Sequence, residues 1–192
     1  MIRYTFSVIL LLLLAVVLQQ FIPAFPNISR ARVLIVPLVF LCATVTLDLP
    51  GMLVLAFAAG FLWDAQNALG PAGGDPDVYP PVGALRFGYS IVLYGLMGLL
   101  MQGIQPWFRR GRWQLSVAFG AITLFLYQAA EYLLLAFVRG DLMLSRSVAG
   151  QMALTCMLTM FFAPPVFMVL ARLERITGRP PLSGRDPRPT LR

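Results

Sequence analysis

The sequence predicts an all-α integral membrane protein, a bundle of six transmembrane helices. Three observations predict it. Apolar residues make up 59% of the 192 and charged residues only 12%, about half the charged fraction of an ordinary soluble domain. The apolar residues fall into six long stretches with short polar breaks between them. The arginines gather at the ends of those stretches and in the C-terminal tail, where membrane proteins place them.

The first span runs over about residues 4–21, and Pro23 and Pro26 break the helix after it. Arg3 precedes its apolar run, but no small-x-small cleavage site follows, so it reads as an uncleaved helix rather than a signal peptide. The second span begins at about 29 or 33 and ends at 47, with Pro37 in its first turns and Arg30 and Arg32 able to snorkel at its start. Asp48-Leu49-Pro50-Gly51 is a turn signal. The third span begins at Gly51, and its uninterrupted apolar part stops at Trp63. A crossing needs about 20 residues, so the helix must run on to about 69. That carries Asp64, Gln66 and Asn67 below the membrane surface.

A glycine- and proline-rich loop with Asp75 and Asp77 occupies 70–83. The fourth span covers about 84–104 and ends at Pro106 and the cluster Arg109, Arg110 and Arg112. The fifth, about 113–138, is unusually long and contains Gln128 and Glu131. The sixth covers about 148–171, and Pro164-Pro165 kink it by freeing the carbonyls of Met160 and Phe161. Residues 1–175 form a single membrane domain, and 176–192 are an Arg/Pro-rich tail expected to be disordered.

Composition excludes several chemistries. There is no histidine and no lysine, so neither a histidine ligand or base nor a Schiff-base or P-loop lysine exists. Cys42 and Cys156 lie in apolar stretches and read as small buried hydrophobes. No zinc motif and no phosphate-binding glycine loop is present. No cofactor and no enzyme activity are expected. The net charge of +7 does not indicate nucleic acid, because its arginines flank spans. Their distribution favours both termini on the cytoplasmic side, with the 70–83 loop outside.

In that orientation Asp64, Arg86 and Glu131 fall at similar depth, towards the outer face. Ionisable groups in a membrane are expensive and tend to pair or to line a cavity. Two readings stand. In one, these three form an outward-opening polar pocket with Gln128 and Gln151. In the other, Asp64 caps a helix end and Glu131 pairs locally. Ala56, Gly60 and Asp64 recur every four residues on one face, a small-residue spacing that lets another helix approach closely, inside the bundle or from a partner. Ala84, Gly88, Gly95 and Gly98 repeat the theme in span four. Trp63, Trp107 and Trp113 read as interfacial anchors.

Gly60-Phe61-Leu62-Trp63-Asp64-Ala65-Gln66, followed by Leu69-Gly70 and by Ala84-Leu85 opening a new span, resembles the rod shape-determining protein MreD family. The fifth span, with Leu126-Tyr127-Gln128-Ala129-Ala130-Glu131-Tyr132-Leu133-Leu134, is similar too. So is the last, with Ala163-Pro164-Pro165-Val166-Phe167 before a basic end. Each motif is short and apolar, and their order and spacing carry the resemblance. The chain departs from the family in a longer loop after Asp64, by an insert around 73–81, and in its Arg/Pro tail.

The resemblance implies a non-enzymatic scaffold in the inner (cytoplasmic) membrane of a bacterium. Its partners would be MreC first, then MreB, RodA and the transpeptidase that works with RodA, with anionic lipid at the basic segments and no nucleic acid. Gly60, Asp64, Arg86, Gln128 and Glu131 would form its binding surface. The family's bundle is also similar to the substrate-binding membrane subunit of energy-coupling-factor transporters. The competing expectation is therefore a subunit that binds a vitamin-type small molecule.

Overall fold

A computed structural model describes residues 2–21, 33–68, 88–109, 113–139 and 146–178. These fold into seven helices, with no strand among the described residues. They are α1 (Ile2–Phe21), α2 (Ile35–Thr44), α3 (Leu49–Ala68), α4 (Tyr89–Arg109), α5 (Trp113–Arg139), α6 (Arg146–Phe161) and α7 (Ala163–Ile176).

Three stretches are long and apolar enough to cross a membrane: Arg3–Phe21, Leu49–Gln66 and Val117–Phe137. The pair Val148–Phe161 and Ala163–Ile176, bent by 41°, makes a fourth if taken as one span. Phe6, Leu10, Leu14, Val17 and Phe21 on α1 all point away from the protein. An apolar face this extensive belongs in lipid rather than water.

α2 is the axis of the bundle. It is shorter than the sequence suggests, a ten-residue helix about 15 Å long, ended by a turn at 45–47. Every residue from Val36 to Thr44 is buried, and α2 touches each of the other helices. Its polar groups are answered locally. Thr44 and Thr46 donate to the carbonyls of Leu41 and Ala43, and Tyr4 and Thr46 share a 2.7 Å hydrogen bond between hydroxyls. With α1, α3 and α4 packed round it, this segment reads as continuously apolar because no side of it meets water.

Hydrogen bonds and close contacts fix the helix directions. Near the end of α1, Gln19 Oε1 accepts from the Val36 N–H, while near its start Tyr4 meets Thr46. α2 therefore runs antiparallel to α1. Gln66 donates to the Val16 carbonyl, which sets α3 parallel to α1. Gly88 meets Asp64, and Gly98 lies on Met52, so α4 returns antiparallel to α3. Tyr127 packs on Tyr94, and Thr123 donates to Met101 Sδ, so α5 reverses again. Gln128 donates to Cys156 Sγ, and Gly120 faces Met160, which turns α6 back.

Three boundaries differ from the sequence expectation. α3 starts at Leu49, two residues early, because Pro50 is tolerated in a first helical turn and the Met52 N–H already bonds the Asp48 carbonyl at 2.8 Å. α4 runs through Pro106 to Arg109 rather than stopping before the proline. Pro106 removes one backbone donor without ending the helix. The last span breaks at Phe162 into α6 and α7, with Pro164 and Pro165 in the first turn of α7. α7 closes on Gly178, whose φ of +70° and N–H to the Arg175 carbonyl form a glycine C-terminal stop. The tail 179–192 lies outside the described residues.

Candidate functional site

The expected site residues split into two groups at the same end of the bundle. The first group joins α3 to α4. Ala56, Gly60 and Asp64 form a buried stripe on α3. A Cβ on Gly60 would collide with the backbone of Ile91, so the two helices approach closely here. One turn on, Asp64 Oδ2 accepts the Gly88 N–H at 2.7 Å. Gly88 has a φ of +107°, a conformation that side chains disfavour, and directly precedes α4. The carboxylate thus satisfies an otherwise orphaned N–H at a helix start, where negative charge is also favoured. Of the small residues expected in span four, Gly98 is packed under Met52 and Phe40, whereas Gly95 faces open space. Ala84 and Arg86 lie outside the described residues.

The second group lines a cavity of about 270 Å³ between α5, α6, the end of α3 and Leu34. Gln128, Glu131 and Gln151 meet there, with Trp63, Tyr132 and Thr155. Glu131 and Gln128 lie three residues apart and so share one face of α5. Glu131 sits inside the stretch Val117–Phe137, about 9 Å along the helix from its Phe137 end. Asp64 is not in the wall. The structure therefore brings together three of the five pocket residues and gives Asp64 a different task.

Trp63, expected as an interfacial anchor, is part-buried and lines the cavity, and its Nε1–H is buried without a hydrogen-bond partner among the described residues. A tryptophan near a span end looks alike in sequence whether its ring faces lipid or protein. The side chains of Trp107 and Trp113 lie outside the described ones. Tyr94 and Tyr127 pack ring against ring at 5.4 Å, tilted by 59°, with both hydroxyls buried and without a hydrogen-bond partner among the described residues. Aromatic repeats at helical spacing read simply as core, and no sequence signal marks these hydroxyls.

At the opposite end, Gln102 donates to the carbonyls of Thr44 and Leu47, and Gln105 to those of Val45 and Leu47, at 3.0–3.3 Å. These carbonyls are left over where α2 ends. Cys42 and Cys156 are buried free thiols, as their apolar surroundings imply.

Fold and site define an all-helical membrane-type bundle with a largely apolar cavity towards one end that holds the Glu131, Gln128 and Gln151 side chains. No protein-family model, curated protein or solved structure matches the chain.

Proposed function

We propose that the protein is a six-pass scaffold of the bacterial inner membrane, with both termini cytoplasmic, which holds MreC and helps organise peptidoglycan synthesis during cell elongation. One observation carries the reading. The Gly60-x-x-x-Asp64 motif behind the MreD resemblance is a helix clamp: Gly60 lets α4 close on α3 and Asp64 holds the start of α4. Such a clamp suits a protein whose work is to present a rigid surface.

Further support comes from the alternating helix directions, which suit six passes, and from the apolar outer faces of α1, α3 and α4. Partner helices would dock on those faces. Intramembrane polar contacts average about 0.6 kcal/mol each, so MreC would need several helices at once. MreB, RodA and its transpeptidase partner would assemble through the same complex. The basic segment at 109–112 and the tail would lie on anionic lipid. Crosslinking in native membranes followed by mild detergent extraction should recover MreC with this chain. Its absence from the crosslinked material, in cells that make MreC, would overturn the proposal.

The cavity favours a second reading, a vitamin-type binding subunit of a transporter. That protein would retain a small molecule through purification and require an ATP-driven coupling module. The scaffold requires neither.

A further inference from the structure

Three sulfur-bearing side chains meet in the interior of the bundle. Cys42 of α2, Met101 of α4 and Met160 of α6 line a second cavity, of about 10 Å³, and all three are buried. Two separate contacts place the thioethers. Met101 Sδ accepts from the Thr123 hydroxyl at 3.8 Å, and Met160 Sδ lies 3.5 Å from where a Cβ on Gly120 would stand. Gly120 and Thr123 are three residues apart on α5, so both sulfurs lie against one turn of that helix. Cys42 joins them from α2, lining the same cavity as Gly120.

The walls select the chemistry. No side chain lining this cavity carries oxygen or nitrogen, and the donors it offers are sulfur. Calcium and magnesium take oxygen ligands. Structural zinc takes four thiolate, imidazole or carboxylate ligands, and the described residues contain no group of even three such side chains. Thiolate and thioether sulfur together favour cuprous ion. Charge agrees with softness. A Cys42 thiolate and two neutral thioethers form a donor set of single negative charge, which a monovalent ion neutralises. A divalent ion would leave net charge in an apolar interior, where it is costly. Methionine has three rotatable bonds, so Met101 and Met160 can draw in on an ion that fits so small a space.

We propose that Cys42, Met101 and Met160 form a site for one cuprous ion, which pins α2, α4 and α6 together. Binding forms a copper–sulfur bond to Cys42 and releases the thiol proton to solution, with no change of oxidation state. The site depends neither on the scaffold reading nor on the cavity around Glu131.

The test uses the full chain in detergent, carrying Cys156→Ser so that Cys42 is its single thiol. Cuprous ion is kept reduced with ascorbate, and the chromogenic chelator bicinchoninate competes for it. The chain is expected to withdraw one ion from the chelator, with sulfur neighbours in copper X-ray absorption and a higher melting temperature. Met101→Leu and Met160→Leu conserve volume and remove the thioether, and each should weaken binding at least ten-fold. Cys42→Ala should abolish it. Met157→Leu, on the exposed side of α6, should bind as its parent does. Failure of the parent chain to withdraw the ion overturns the proposal whatever the variants do. Binding unchanged in both leucine variants also overturns it, marking an adventitious contact with a thiol only. The leucine variants keep the core filled, so their result stands even if Cys42→Ala does not fold. MreC recovery is measured separately, so either idea can fail alone.

Discussion

Gly60 and Gly95 look equivalent in the sequence, each a glycine in an apolar helix, yet only one is under pressure. A methyl group on Gly60 meets the Ile91 backbone, which cannot swing aside, whereas a methyl on Gly95 meets nothing. Gly60→Ala should therefore lower the stability of the detergent-solubilised protein by about 1–3 kcal/mol, the usual range for overpacking. Gly95→Ala should be neutral or slightly stabilising, since alanine favours helix. Thermal unfolding of the two variants side by side checks this, and equal melting points would show that α3 and α4 do not approach as described. At this scale the sequence was informative about identity and vague about partners. Four-residue spacing was enough to put Gly60 and Asp64 on one buried stripe. The sequence offers Asp64 as a helix cap or as a pocket wall, but does not show that the N–H it meets is that of Gly88, 24 residues away at the start of α4. Trp63 is ambiguous for the complementary reason: its position near a span end suits lipid and cavity equally.

Among the elements, the long helices were the most legible. α1, α3 and α5 carry enough apolar residues in a row that few other structures could satisfy their backbone. α2 was harder. Its apolar run was visible, but its length was not, because helix ends are set by what the freed carbonyls find. Here they find Gln102 and Gln105, one turn apart on α4. Replacing both glutamines with leucine would leave the carbonyls of Thr44, Val45 and Leu47 without these donors. The expected loss is about 1–3 kcal/mol for each buried group left unsatisfied, with faster amide exchange at the 45–47 turn. Unchanged exchange there would mean that the turn holds itself. The bent last span shows the opposite balance: two consecutive prolines are a strong local instruction, and the break falls within two residues of them.

For the molecule as a whole, the number of passes turns on α2 and α4, which are not among the stretches long and apolar enough to cross on their own. If both carry the chain across, the N-terminus and the segment after α4 face the same side; if only one does, they face opposite sides. Single cysteines at residues 2 and 111, in a chain whose native Cys42 and Cys156 are replaced, should react with a membrane-impermeant maleimide from the same side in oriented vesicles. Labelling from opposite sides would remove the six-pass topology and the orientation built on it. Composition alone was enough to indicate a membrane bundle, since so few charges cannot clothe a soluble surface of this size. The cavity is only half legible in the sequence. The expected pocket includes Gln128, Glu131 and Gln151 of α6, but nothing in the sequence brings Trp63 and Thr155 to them.

A helix of ten residues that touches all the others has a consequence for how the chain is made. While the ribosome is still producing α3, the seat for α2 does not exist, because α4 and the α6–α7 pair that complete it come later. The second helix therefore lacks part of its final packing until nearly the whole protein has been synthesised. A chain cut short before α6 would leave that segment without its final neighbours, even though every residue of α2 would be present.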